Sequence, residues 1–388
     1  MSLFPEEPLN LSAFDGFGYF PADINQALDN GRYTILRKLG WGPRSSTWLV
    51  QDTTEKRPDY WAVQIFTVAK SREVEERLLP TLQSTAFTRA RDEFPNLRTS
   101  FWESSVHGEH LCLVISEYGL PFSDLLLDAT NSGRVGLPVH VVKYTAFQAL
   151  EVLGDLHHKK SLIMHSGIKL DNLAFWPDTY KNAVRIHIKD NPPGTTQIVD
   201  GLPVVRSQPL ANYTVDLDDP MSEVVEWDLV VTGFGHIQLA PYTPESGYDY
   251  CSAPETLLEN PTCGLSTDVW MLGCLVFHLL TGQPLFTSTG TAVERLAEVR
   301  DALHGISAIP DAWGGDRHVR ALTNATPSRQ SLEQRLKEAL SEDEAPPALE
   351  FLRKCLAIEP TVRNSAYSLQ LDKGTWVAEG GACSCGFH

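Results

Sequence analysis

The sequence predicts an α+β protein of two lobes, a smaller one rich in strands followed by a larger helical one. Three observations carry this prediction. Apolar segments typical of strands occur early, at residues 33–39, 60–66 and 111–115. Helical patterns with an apolar face follow, at residues 139–160 and 266–282. The chain has 388 residues, 42% of them hydrophobic, which is enough for two such lobes.

Composition narrows the class of protein. The formal net charge of −17 disfavours a nucleic-acid coat and favours basic partners or simple solubility. Seven scattered cysteines indicate reduced thiols, as in cytoplasmic or nuclear proteins. We find no apolar run of membrane-spanning length and no signal-type segment at the N-terminus, so we expect no membrane association.

A glycine-rich turn joins the first two predicted strands. Gly40 and Gly42 follow the strand pattern, and Ser45 stands where a third glycine would complete G-x-G-x-x-G. In kinases a strand–turn–strand of this kind covers the phosphates of the nucleotide. Two glycines also suit an ordinary hairpin, so this signal is weak by itself.

The flanking residues make the resemblance more specific. Gly18-Tyr-Phe-Pro21, Gly31-Arg-Tyr33 and Arg37-Lys-Leu-Gly-Trp-Gly42 are similar to the start of the serine/arginine-rich-protein-specific protein kinases, especially their divergent fungal relatives. The resemblance runs from about residue 18 to about residue 370 and implies a bilobal protein-kinase-like fold. The implied parts are an N-terminal extension (1–30), an N-lobe (31–119), a C-lobe (120–375) with a spacer-type insert (173–232), and a flexible tail (376–388).

Three positions depart from the kinase pattern. Gln64 stands in Trp-Ala-Val-Gln-Ile where V-A-I-K has its lysine. Gly167 stands at the aspartate of H-R-D-L-x-x-x-N, and Gly233 stands at the metal-binding aspartate of D-F-G. Phosphoryl transfer needs these charges around the γ-phosphate. The pattern therefore predicts a pseudokinase, with weak or absent magnesium-ATP binding, no metal and no cofactor.

Other site residues are assigned by position in the pattern. Glu75 matches the glutamate that would pair with the missing lysine, Ile115 matches the gatekeeper, and Ser116 and Glu117 match the hinge. The expected ligand cleft therefore contains Gly40, Gly42, Ser45, Glu75, Ile115, Ser116, Glu117 and Asn172. Outside the cleft, Arg363 is expected to pair with Glu255 and hold the large lobe together.

Three groups of the degenerate loop remain candidates for chemistry other than phosphoryl transfer: Lys169, Asp171 and His165. We interpret the protein as a pseudokinase that recognises an arginine-rich or basic partner. One alternative is a metal-independent acyl transferase, such as the fungal aminoacyl-tRNA-dependent arginine-containing cyclodipeptide synthases. Another is a live kinase that uses Asp171 as its base. In the tail, Cys383 and Cys385 resemble part of a metal site but show only three ligands with a nearby histidine, so we expect a disordered end.

Overall fold

The structure is a computed structural model. It describes residues 6–57, 59–83, 96–159, 161–176, 183–194, 196–199, 201–210, 216–225, 227, 229–233, 236–244, 247–288, 290–304, 307–322, 330–372 and 376–379. The cysteines of the tail, Cys383 and Cys385, lie outside the described residues. The chain forms two compact units, residues 1–120 with 174–214 and residues 121–173 with 215–388.

An antiparallel sheet of six strands forms the first unit, in the order β1-β2-β3-β4-β6-β5. The strands are β1 Ala27–Leu28, β2 Tyr33–Gly42, β3 Ser45–Asp52, β4 Tyr60–Phe66, β5 Leu97–Ser105 and β6 Gly108–Ile115. Their inward-facing apolar side chains, among them Tyr33, Trp48 and Val63, form the core of this unit. The strand-rich part predicted from the sequence is therefore confirmed.

One helical segment crosses this unit between β4 and β5. It begins as helix α1 at Val68–Glu73, widens into a π-helical turn at Val74–Leu78, and closes as helix α2 at Leu79–Leu82. Glu75 lies on the π turn. Such turns are rare and occur often at functional sites.

The segment between the two halves of the second unit packs onto the first unit. It contains β8 Leu173–Phe175, α5 Ala183–Asp190, β9 Thr196–Val199 and β10 Leu202–Val205. Val205 joins the core of the sheet. The Arg37 guanidinium lies 2.7 Å from Nε2 of His187. Buried Lys38 donates to Glu6, Glu7 and the carbonyl of Val205. Lys38 therefore joins the N-terminal acids to this segment, by ion pairs on one side and a hydrogen bond to a carbonyl on the other.

The second unit is mainly helical, as predicted. Its longer elements are α3 Phe122–Asn131, α4 Val139–Leu156, α7 Leu265–Thr281, α8 Ala292–Ala302, α10 Leu332–Ala339 and α11 Ala345–Cys355. Its shorter elements are β7 Ile163–Met164, α6 Met221–Val224, β11 Leu229–Val231, β12 Gln238–Leu239, α9 Arg317–Arg320 and α12 Ala366–Leu371. No helix among the described ranges is both long and apolar enough to span a membrane.

Helix α7 forms the centre of the second unit. Most of its side chains are buried, including Trp270 and Phe277, and it packs against α4, α10 and α11. The C-cap is Gly282, whose φ of +67° is the left-handed conformation that glycine adopts at low cost. The predicted central helix is thus confirmed, and it presents Asp268 to the loop described next.

Candidate functional site

The degenerate loop is held through its backbone by a buried carboxylate. Asp268 of α7 is fully buried and accepts hydrogen bonds from the backbone N–H groups of His165 (2.8 Å) and Ser166 (2.7 Å). Nε2 of His157 lies 2.9 Å from the same carboxylate. Because a backbone N–H is common to all residues except proline, this restraint survives side-chain changes in the loop.

Asn172 lies beside both glycines that replace kinase aspartates. Its Nδ2 donates to the carbonyl of Gly167 at 2.9 Å. A Cβ atom added to Gly233 would lie 2.5 Å from Cγ of Asn172, and one added to Gly167 would lie 2.9 Å from Nδ2. Gly233 also has a φ of +84°, which disfavours other residues. Asn172 therefore occupies space that both missing side chains would need.

The residues present do not fit the magnesium ion of a kinase. Magnesium is held by carboxylate and other oxygen ligands in near-octahedral geometry. Gly233 offers no side-chain oxygen, and Asn172 donates its amide to the loop. Among the described residues, the one group of three acids close enough to share an ion is Asp52, Glu55 and Asp59 of the first unit. Arg98 bridges all three.

Lys169 forms an ion pair with Asp249. Nζ of Lys169 lies 3.1 Å from Oδ2 of Asp249. Burial acts to raise the pKa of Asp249, but the charge of Lys169 and hydrogen bonds from Cys251 and Lys169 outweigh it, and the pKa lies below its usual value. Asp249 is therefore ionised at neutral pH, and the pair can serve recognition or charge stabilisation.

Asp171 belongs to a group of carboxylates. It is exposed on the 3-10 turn Leu170–Asn172, which packs against α3. Burial first, and then the negative charges of Asp128 and Asp171, raise the pKa of Asp124 on α3. A positively charged group close to Asp124 would relieve this unfavourable charge interaction.

His165 is fully buried. Burial is the main cause that lowers its pKa to about 4. The imidazole is therefore neutral at pH 7 and faces protein atoms on all sides. This geometry suits a structural role better than a proton transfer with a ligand.

In the first unit, the side chain of Gln64 bonds to the glycine-rich hairpin. Gly42 of β2 and Ser45 of β3 are the last paired residues before the turn of this hairpin. Nε2 of Gln64 donates to Oγ of Ser45 at 2.8 Å, whereas its buried Oε1 has no hydrogen-bond partner among the described residues. Gly40 and Gly42 have open space where a Cβ would stand. The structure thus brings the position of the missing lysine to Ser45.

Glu75 has other partners. Its carboxylate lies 2.7 Å from the guanidinium of Arg72 and accepts from the indole of Trp102 at 3.3 Å. Gln64 and Glu75 are therefore each bonded to different neighbours, which leaves the glutamate with an arginine one turn earlier.

The expected hinge follows strand β6. Ile115 is its last, buried residue, and the backbone N–H of Ser116 donates to Asn96. Burial raises the pKa of Glu117. These residues belong to the first unit, and none of them forms an ion pair among the contacts of the described residues.

Arg363 and Glu255 form a bidentate, buried ion pair. The two guanidinium–carboxylate distances are 2.9 and 3.0 Å. The guanidinium also donates to the carbonyls of Ala357, Ser266 and Ile358, which satisfies its remaining donors. This pair ties the 3-10 turn Pro254–Leu257 to the chain after α11.

Several residues of this arrangement escaped the sequence reasoning. Asp249 and Asp124 carry no motif, and only packing reveals their contacts with the loop. Ser166 was visible as a departure, because the kinase pattern H-R-D has arginine at this position.

The comparison with known protein families matches the later part of the second unit. Residues 234–374 match the family model described as the protein kinase domain. This stretch begins directly after Gly233 and contains α7, Glu255 and Arg363. The match thus contains α7 and the ion pair of Glu255 with Arg363, whereas Gln64, Gly167 and Gly233 precede it.

The matched relatives are serine/arginine kinases. "Serine/threonine-protein kinase SRPK" of Physarum polycephalum is 24% identical over 298 residues, 73% of this chain and 68% of the relative. "SRSF protein kinase 3" of Mus musculus is 35% identical over 161 residues, 40% of this chain and 27% of the relative. "Protein kinase dsk1" of Schizosaccharomyces pombe is 30% identical over 168 residues, 42% and 29%. The matches thus span about two thirds of the Physarum relative and under a third of the other two. The chain is a kinase-fold protein related to the SRSF protein kinases.

Proposed function

We propose that this protein is a pseudokinase that transfers no phosphate and binds a basic, arginine-rich segment of a partner protein. The observation that carries the first half is the position of Asn172, which fills space needed by side chains at Gly167 and Gly233. Phosphoryl transfer needs a base at the first position and a metal ligand at the second. Restoring either side chain alone would require Asn172 to move.

The second half rests on uncompensated negative charge in the second unit. Burial first, and then the negative charges of Asp128 and Asp171, raise the pKa of Asp124. The net charge of −17 acts in the same direction at long range. Relatives are named for action on SRSF proteins, and the resemblance stated above implies arginine-rich partners. Arginine is the residue best suited to carboxylates, because its planar guanidinium donates two parallel hydrogen bonds.

The test of partner binding is a titration with a fluorescent Arg-Ser repeat peptide. We expect saturable binding that weakens as salt is added, because exposed charges are screened. Asp124→Asn and Asp128→Asn should each weaken binding by roughly threefold to fivefold, the range of a lost exposed ion pair. Asp311→Asn, an exposed acid on another turn of the same unit, is the matched control and should change little. Wild-type affinity in both the Asp124→Asn and the Asp128→Asn variants would contradict this assignment.

Loss of phosphoryl transfer has its own assay. With magnesium or manganese and ATP, transfer to the same peptide should stay at the level of a reaction without protein. Transfer above that level, abolished by Asp171→Ala, would establish instead a live kinase that uses Asp171 as base. We also propose that the protein acts in the cytoplasm or nucleus, because its scattered cysteines are typical of reduced thiols.

A second candidate, metal-independent acyl transfer from an aminoacyl-tRNA, is favoured by one observation. Lys169 keeps an ion pair and lines a cavity of the second unit although the groups for metal chemistry are gone. An acyl group can pass from an ester to an amine without a metal ion, and Lys169 and Asp171 are charged side chains carried by the loop itself. Incubation with arginyl-tRNA and a second aminoacyl-tRNA, so that each of the two amide bonds forms by displacement of a tRNA from its ester, should then yield an arginine-containing cyclic dipeptide by mass spectrometry. If no cyclic dipeptide accumulates beyond the amount of protein present, this candidate is excluded.

A further inference from the structure

A cavity of about 210 Å³ lies within the second unit, beside the degenerate loop. Its apolar wall includes Met164 of β7, Met271 of α7 and Pro244. Its polar wall includes Ser166, Lys169 and Asp249. The cavity is therefore bounded by the loop, by the central helix and by the segment before Ala-Pro-Glu, and it is separate from the acids on α3.

Ser166 explains why there is space here. The kinase pattern has arginine at this position, whereas this chain has a side chain with a single oxygen. The backbone is fixed, because the N–H of Ser166 donates to Asp268 and its φ is +59°. The residue is only 7% exposed, and Oγ has no hydrogen-bond partner among the described residues. A buried hydroxyl without a partner is unfavourable and is satisfied by a ligand that donates to it.

Asp249 supplies the charge of the cavity. It is ionised at neutral pH, and its side chain is 42% exposed, compared with 22% for its partner Lys169. The carboxylate is thus the more accessible member of the ion pair. A cationic ligand can reach it, whereas an anion would have to separate Lys169 from Asp249 first.

We infer that this cavity binds a guanidinium group, the side chain of an arginine supplied by another molecule, in space that the chain's own arginine would fill in the kinase pattern. The inference rests on the proposed function in one respect, since the arginine-rich partner is the expected source. A guanidinium carries several N–H donors in a plane and can donate to the Asp249 carboxylate and to Ser166 Oγ together. An ammonium is a compact, strongly hydrated charge, and the methionine side chains adapt to the arginine stem.

Methionine methyl NMR tests this site directly. The chain has four methionines, of which Met164 and Met271 line the cavity and Met221 begins the separate helix α6. Titration with N-acetyl-L-arginine amide should shift the Met164 and Met271 signals in a saturable way and leave Met221 in place. The capped lysine and citrulline amides are the controls for charge and shape. Equal shifts with either control, or no saturable shift with arginine, would overturn the inference.

Two variants locate the ligand. Ser166→Arg fills the space from within and should abolish the shifts. Asp249→Asn keeps the shape, removes the charge, and should weaken binding at least tenfold. The second variant keeps the test decisive if the first does not fold. Asp311→Asn, an exposed acid outside the cavity, should leave arginine amide binding unchanged. Undiminished binding to Asp249→Asn would place the ligand elsewhere.

The same data separate this site from the proposed function. If arginine amide shifts Met164 and Met271 but Arg-Ser peptide does not bind, the cavity stands and the protein partner falls. If the peptide binds through Asp124 while the methionine signals stay unshifted, the partner stands and the cavity site falls.

Discussion

The framework and the loop of the second unit differ in which atoms hold them. In the framework, Arg363 and Glu255 are held by side-chain contacts that only these residue types can make. In the loop, Asp268 accepts hydrogen bonds from the backbone N–H groups of His165 and Ser166, and these bonds do not depend on the residue type. The comparison teaches that a loop held through its backbone N–H groups can keep its position in the fold when a side chain such as that of Ser166 differs from the kinase pattern.

The largest expected effect lies in the framework. Arg363→Ala would leave the Glu255 carboxylate buried without its partner, and breaking such a pair costs about 3–5 kcal/mol. The free energy of unfolding, measured by urea denaturation, should fall by that amount. Arg353→Ala is the matched control on α11, since this side chain is exposed and lies 3.9 Å from Glu333. We expect the control to change stability by about 0.5 kcal/mol at most. Equal losses in both variants would remove the distinction.

Acidic pH should lower the stability of the protein through two histidines, one in the loop and one in the framework. The pKa values of His165 in the loop and His278 in α7 are both lowered to about 4, mainly by burial. The unfolded chain then binds more protons below about pH 6.5, so stability is complete above that pH and declines as pH falls towards 4. From pH 7 to pH 5 the loss should be on the order of 2 kcal/mol for His165, and smaller for His278, which is partly exposed.

The variant His278→Phe separates the contribution of His278 to this pH dependence from that of His165. Phenylalanine keeps a ring beside Tyr250, which the histidine ring contacts edge-on at 5.5 Å between centroids, and it binds no proton. The loss of stability from pH 7 to pH 5 should shrink but remain. A variant with no pH dependence in this window would show that His165 does not titrate as a buried group.

The structure of the framework could be predicted from the sequence to a greater extent than that of the loop. The cap and apolar face of α7 and the position of Arg363 follow from local pattern and family resemblance, so the framework was predictable. The place of Asn172 was not, because it depends on the packing of Gly167, Asn172 and Gly233, which lie up to 66 positions apart in the numbering. The π turn under Glu75 and the contact of Arg37 with His187 depend on packing in the same way.

The crowding around Asn172 should be measurable as a coupling. Gly233→Ala combines an unfavourable φ of +84° with a contact of 2.5 Å to Asn172. Gly201→Ala is the matched control, since its φ is +82° but nothing lies within 4 Å. Backbone strain of this kind costs about 1–3 kcal/mol in each, and Gly233→Ala should cost roughly 1 kcal/mol more. In the background of Asn172→Ala that excess should vanish, and an excess that persists would show that Asn172 does not fill the space.

The smallest effect is expected at Gln64, the neutral residue that stands where the kinase pattern has a lysine. Gln64→Leu removes one hydrogen bond to Ser45, worth about 1 kcal/mol, but also removes a buried Oε1 without a partner, whose burial costs about 1–3 kcal/mol. The two terms nearly cancel, so the free energy of unfolding should change by less than about 1 kcal/mol. Gln148 is the matched control in the framework, because its Oε1 is also without a partner while Nε2 donates to both Tyr144 and Trp227. Gln148→Leu should therefore cost about 1 kcal/mol more than Gln64→Leu. If Gln64→Leu proves the costlier of the two, the hydrogen bond to Ser45 is a structural requirement of the glycine-rich hairpin, and the first unit has a framework of its own at this position.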